Sequence, residues 1–163
     1  MNVKEAIQKR RSIRNFRPGP IPEEQLQILM KAAQLAPSAS NNQPYKFIIV
    51  KDDEVKKRLQ RLGSIQDFIT DAAVIFVGVG FAQYEKWNKV NLGIAIQHIF
   101  LQAVELGLGA CWIGAFNEEK VKKVLQIPQD MNVIALLPVG IPDEDPPARP
   151  RKSIEDLFSM DNY

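Results

Sequence analysis

The chain has 163 residues, of which 45% are hydrophobic, 25% charged and 8% aromatic, the balance of an ordinary globular domain. Lys+Arg 21 against Asp+Glu 19 leaves a formal net charge of +2, which argues against a dedicated polyanion binder. A single cysteine and a single histidine exclude a disulfide framework and any metal site built from several thiolates or imidazoles.

Residues 3–10 read as a short helix with Val3 and Ile7 one turn apart. A basic run, Arg10-Arg11-Ser12-Ile13-Arg14-Asn15-Phe16-Arg17, leads into the breaker Pro18-Gly19-Pro20. Pro22, Glu23 and Glu24 open a second helix, whose apolar stripe is Leu26, Leu29, Met30 and Ala33 and which Pro37 ends. Residues 37–44 form a polar loop, and Tyr45 to Val50 reads as a strand. A charged helix over 53–62 follows, with Gly63 as its cap, and Ala72 to Val79 reads as a strand buried on both faces. Residues 88–106 make the longest helix. It is apolar nearly all round, which implies cover on most sides, yet too often interrupted by Asn91, Gln97, His98, Gln102 and Glu105 to cross a membrane. Ala110 to Ala115 reads as a short strand, and Asn117 caps a helix carrying Val121, Val124 and Leu125. Asn132 to Val139 is another buried strand. The tail over 142–152 has four prolines and no apolar period, and Ser153 with Asp156 starts a last short helix. Four strands interleaved with helices predict one three-layer α/β or α+β domain over 1–163, with the strand order open. No apolar leader core follows Met1, so the cytoplasm is the expected compartment.

Three clusters carry chemistry. Arg10, Arg11, Ser12 and Arg14 offer forked guanidinium donors and a hydroxyl, suited to phosphate; the plainer account is a solvated basic turn. Ser38, Ser40, Asn41, Asn42 and Gln43, between Pro37 and Pro44, present amides that match a ring edge of alternating C=O and N–H. A turn using Asn and Ser for backbone reasons is the competing account. Arg149, Arg151 and Lys152 read alone as a charged tail; joined in space to the first cluster they would grip a phosphate from both ends of the sequence. His98, without a second histidine or a nucleophile nearby, reads as a satisfied core residue. Cys111 reads as a small buried hydrophobe with no basic partner to lower its pKa. Gly107-Leu108-Gly109 follows a helix and lacks the dinucleotide fingerprint, so it reads as a helix C-cap.

Taken in order, these segments resemble the nitroreductase family of FMN-dependent oxidoreductases, in a short form. The matching stretches are 10–16, 36–47, 106–114, 137–140 and 149–152, together spanning almost the whole chain. The resemblance implies an α+β fold, a central mostly antiparallel sheet flanked by helices in three layers. It further implies FMN as cofactor, with NAD(P)H as reductant. Arg10, Arg11, Ser12, Arg14, Arg149 and Arg151 would then hold the phosphate and ribityl chain. Pro37, Ser38, Ala39, Ser40, Asn42 and Gln43 would lie along the ribityl chain and isoalloxazine, and Ile113 and Gly114 would approach the ring by backbone. A homodimer with FMN at the interface is implied, the loop and the N-terminal segment coming from different subunits. The implied activity passes hydride through flavin to a nitroaromatic, quinone or similar small acceptor, with no catalytic side chain, metal, membrane or nucleic acid required. Same-fold flavoproteins that dehalogenate or fragment flavin are the alternative, and a basic nucleic-acid-binding module is a remoter one. Two departures stand out: Asn91 replaces a common Asp, and the stretch from Phe81 to Asn91 is brief where longer members wall the substrate pocket.

Overall fold

The structure, a computed structural model, describes residues 1–63 and 65–163. Its named strands all pair antiparallel. Strands β1 (Phe16–Arg17), β2 (Tyr45–Val50), β3 (Val74–Phe81), β4 (Gly109–Ala110) and β5 (Met131–Pro142) run in the order β1-β5-β3-β2, with β4 also on β5. Helices α1 (Val3–Lys9), α2 (Glu23–Gln34), α3 (Asp53–Gly63), α4 (Glu85–Glu105), α5 (Glu118–Leu125) and α6 (Ile154–Leu157) flank the sheet, with short 3-10 turns at Ala39–Asn41, Asp67–Thr70 and Ala82–Tyr84.

Side chains alternate across β3 and divide the core in two. Val74 and Phe76 meet Leu26 and Leu29 of α2 and Ile96, Ile99 and Ala103 of α4. Ile75, Val77 and Val79 meet Leu59 of α3 and Val121 and Val124 of α5. This is the three-layer α+β arrangement expected. A register shift between Gly78 and Val79 pairs them with Ala135 and Val133, so Ile134 is the extra residue of a bulge. The bulge reverses the parity of β5, and Val133 joins the α3/α5 side with Leu136 although it lies an odd number of residues away.

Four expectations need correction. Residues 16–17 pair with β5 as a fifth strand, too short for any periodicity to reveal. The strand expected over 110–115 pairs regularly only at Gly109–Ala110, though Cys111 N–H still reaches the Pro138 carbonyl and Ile113 bridges Leu136. Pro138 has no N–H to return, which breaks the ladder there. Gly63 belongs to α3 itself and has no positive φ, whereas Gly107, at φ 73°, is the left-handed residue that ends α4. The cover on α4 is also one-sided: Leu92, Ala95, Ile96, Ile99 and Ala103 are buried, while Val90 is 51% exposed and Ile94, Leu101 and Val104 only partly buried.

Candidate functional site

The basic N-terminal segment is held as an extra edge on the sheet. A capping box joining Asn2 and Glu5 starts α1, and the chain leaves it at Arg10, whose ψ is 123°. Ser12 then bridges Ala110, and Ile13 N–H donates to the Ala110 carbonyl at 2.9 Å. Ile13 buries its side chain against Gly109, where a Cβ would lie only 2.9 Å from the Ile13 side-chain carbons. Extended backbone sends Ser12 and Arg14 the opposite way. There, with Arg10, Arg11, Arg149 and Arg151, they line one cavity of about 330 Å³. The two basic ends of the sequence therefore meet in space.

Electrostatics at this cavity favour an anion. Burial, then repulsion from Arg151 and Arg11, lowers the Arg10 pKa from its ordinary value, and its guanidinium stacks 5.0 Å from the centre of the Phe100 ring. The cavity's arginines satisfy themselves on neutral carbonyls: Arg11 on Gln8 at 2.7 Å, Arg14 on Ser12 at 3.4 Å, Arg151 on Pro150 at 3.3 Å. Among the described residues Arg17 is the only arginine in an ion pair, with Asp143 at 3.9 Å. Converging guanidiniums without a carboxylate partner, beside a hydroxyl, fit a phosphate monoester. Cys111 lies at the edge of this cluster, 2% exposed. Contrary to expectation it has basic neighbours: Arg14 and Arg10 lower its pKa, but burial outweighs them and the thiol is pushed above its ordinary value.

The amide loop is built under strain. Ser40, Asn41 and Gln43 all take left-handed φ, at 51°, 53° and 48°, which a simple turn does not require three times over. Ser38 holds it from inside, its carbonyl accepting from Asn41 N–H at 2.9 Å and its hydroxyl from Gln43 N–H at 3.0 Å. Asn91 of α4 anchors it from below by accepting from Ala39 N–H at 3.1 Å. Two buried amide atoms beside this anchor, Asn91 Nδ2 and Asn88 Oδ1, have no partner among the described residues. Phe100, beneath Arg10, lies nine residues further along α4, roughly 13 Å away. Within one chain the loop and the basic cavity are therefore separate.

Ile113 and Gly114 differ. Both backbone groups of Ile113 are paired with Leu136, at 2.9 and 3.0 Å. Gly114 is exposed and lines a second cavity of about 450 Å³ with Asn88, Trp112, Phe116 and Asn132. His98 is satisfied as expected, its Nδ1 lying 3.2 Å from the Ala32 carbonyl. Among the described residues no group of three or more His, Cys, Asp or Glu is placed to hold a metal, and no helix is long and apolar enough to cross a membrane. Sequence reasoning missed Asn88, Gly109 and Phe100. Only Gly109 left a signal, as the glycine that a close backbone approach demands.

Comparison with known proteins gives concordant findings. The family described as Nitroreductase matches residues 7–66 and 60–141. A protein of Methanothermobacter thermautotrophicus, whose name pairs NADH dehydrogenase with NAD(P)H nitroreductase, is 32% identical over 99% of this chain and 85% of its own length. A protein of Thermotoga neapolitana named iodotyrosine deiodinase is 25% identical over 90% of this chain and 91% of its own. Among solved structures, the NADPH:FMN oxidoreductase of Vibrio harveyi complexed with NAD+ superposes with a TM-score of 0.93 at 27% identity, covering 100% of this chain and 78% of that one.

Proposed function

This chain belongs to the nitroreductase family, and from that premise we propose that it moves electrons from NAD(P)H through FMN to a small nitroaromatic, quinone or similar acceptor. It is an NAD(P)H-dependent flavin oxidoreductase; the acceptor class is the proposed part. The observation that supports the cofactor's seat is the convergence of Arg10, Ser12, Arg14, Arg149 and Arg151 on one cavity from opposite ends of the chain. FMN, when bound, would supply the redox chemistry that links the nicotinamide to the acceptor.

The residues of the chain bind and orient. Arg10, Arg11, Ser12, Arg14, Arg149 and Arg151 would neutralise the phosphate and hold the ribityl hydroxyls. Pro37, Ser38, Ala39, Ser40, Asn42 and Gln43 would meet the ribityl chain and ring edge from a second copy, as the family resemblance implies. Of the pair at 113–114, Ile113 has spent its N–H on Leu136, so the backbone donor to the ring falls to Gly114. A homodimer formed from residues 1–163 as one FMN-binding domain, working in the cytoplasm, is part of this reading. Reductive dehalogenation is a second reading, favoured by the likeness to the protein named iodotyrosine deiodinase.

The purified protein is expected to be yellow and to release a flavin monophosphate on denaturation. NADH or NADPH should bleach the flavin band without oxygen, and a nitroaromatic or quinone should restore it. Colourless protein that takes up no added FMN overturns the proposal. Reoxidation by an iodinated phenol with iodide release, but not by nitro compounds or quinones, selects the second reading.

A further inference from the structure

We propose that Glu144 is a positioning residue, whose carboxylate clasps the two ends of the chain together and so assembles the basic cavity. The proposal rests on that cavity being the seat of the FMN phosphate. A single oxygen, Oε1 of Glu144, accepts from the backbone N–H groups of two successive residues, Arg14 and Asn15, the latter at 3.1 Å. Around it, Asp143 N–H donates to the Asn15 carbonyl at 2.9 Å, and Asn15 Nδ2 donates to the Asp143 carbonyl at 3.3 Å. These bonds extend the β1–β5 pairing, whose last partners are Phe16 and Pro142.

Beyond Glu144 the ladder cannot continue, because Pro146, Pro147 and Pro150 have no N–H to give. Yet this is the stretch that delivers Arg149 and Arg151 to the cavity wall opposite Arg10 and Ser12. The clasp therefore fixes where the proline-stiffened arm departs and which way Ser12 and Arg14 face. Charge alone argues the other way. A carboxylate beside a phosphate seat repels the ligand, so an acid at 144 assists only through its geometry. The sign of the effect on FMN binding thus separates the two roles.

The test is FMN titration of apo-protein, followed by flavin fluorescence, with amide hydrogen exchange at Arg14 and Asn15 and a thermal melt. Glu144→Ala should weaken FMN binding about tenfold, as loss of a charged acceptor predicts, and should speed exchange at both amides. Glu144→Gln keeps a carbonyl acceptor while losing the charge, so it should stay within about threefold of wild type. Asp145→Ala, which removes an exposed charge one residue on, should likewise stay within about threefold. If Glu144→Ala binds FMN as tightly as wild type or more tightly, the clasp is refuted. Equal losses in the Gln and Ala variants refute it too, since the retained acceptor then contributes nothing. Should Glu144→Ala not fold, Glu144→Asp, with the charge kept but the reach shortened, must weaken binding; unchanged affinity overturns the proposal. Wild type that binds no FMN sinks the parent reading instead, and the exchange at Arg14 and Asn15 then decides the clasp.

Discussion

At the scale of single residues, convergence of guanidiniums on one cavity separates the site from the surface. Arg14→Ala should lose a charge-assisted bond of about 1.5–3 kcal/mol, hence about ten- to a hundredfold in FMN affinity by flavin titration. Lys57→Ala removes an exposed lysine paired with Glu54 at 2.7 Å on α3, and should change affinity less than about twofold. Equal losses would argue against a localised site. Cys111 gives a pH prediction. Burial raises its pKa in the folded chain, so the folded state holds its proton after the unfolded thiol, near 8.5, has begun to lose it. Stability should therefore decline as pH rises through that value, and Cys111→Ala should decline less between pH 7 and pH 9.5 in urea melts. Equal slopes would refute this. The basic clusters were legible because residue type alone states their chemistry. Glu144 was not, because its role is a pairing across the length of the chain, to which local sequence is blind.

At the scale of elements, apolar stripes, continuous apolar runs, charge and breakers located the long helices and strands, and the misreadings sit where pairing overrides pattern. β1 and β4 are two residues each and exist only because β5 offers them an edge. The missing N–H of Pro138 limits β4, the bulge at Ile134 shifts the β3–β5 register, and neither shows as a period. Gly109 is the element-scale test. An added methyl would meet Ile13 at 2.9 Å, so the segment carrying Ser12 and Arg14 must move away from β4. Gly109→Ala should cost about 1–3 kcal/mol of stability by overpacking. It should also weaken FMN binding more than Gly93→Ala, where a Cβ meets nothing within 4 Å. Denaturant melts and FMN titration check both, and a Gly109→Ala protein of wild-type stability and affinity would show that the close approach is dispensable.

At the scale of the whole molecule, the amide loop and the basic cavity are separate within one chain, and the apolar surface left over offers a second copy a place to bring them together. Val90, Ile94, Leu101 and Val104 fall on a single stripe of α4, opposite the residues buried on the sheet. Val3 and Ile7 of α1 and Leu35 after α2 are exposed, and Leu101, Val3 and Leu35 line an open cavity of about 620 Å³. Monomers in water rarely leave contiguous apolar area above a few hundred Å². A two-fold axis on this stripe would bury it in an isologous interface that, for an obligate dimer, exceeds about 2,000 Å². The loop of one copy could then reach the cavity of the other, and FMN bound across the seam would stabilise the pair by mass action. Ile94→Lys places a charge at the centre of the stripe. Sedimentation equilibrium should find wild type dimeric at micromolar concentration and Ile94→Lys shifted toward monomer, with FMN affinity falling in parallel. A wild-type monomer that holds FMN, or an Ile94→Lys monomer with undiminished affinity, would mean that one chain builds the whole site by itself.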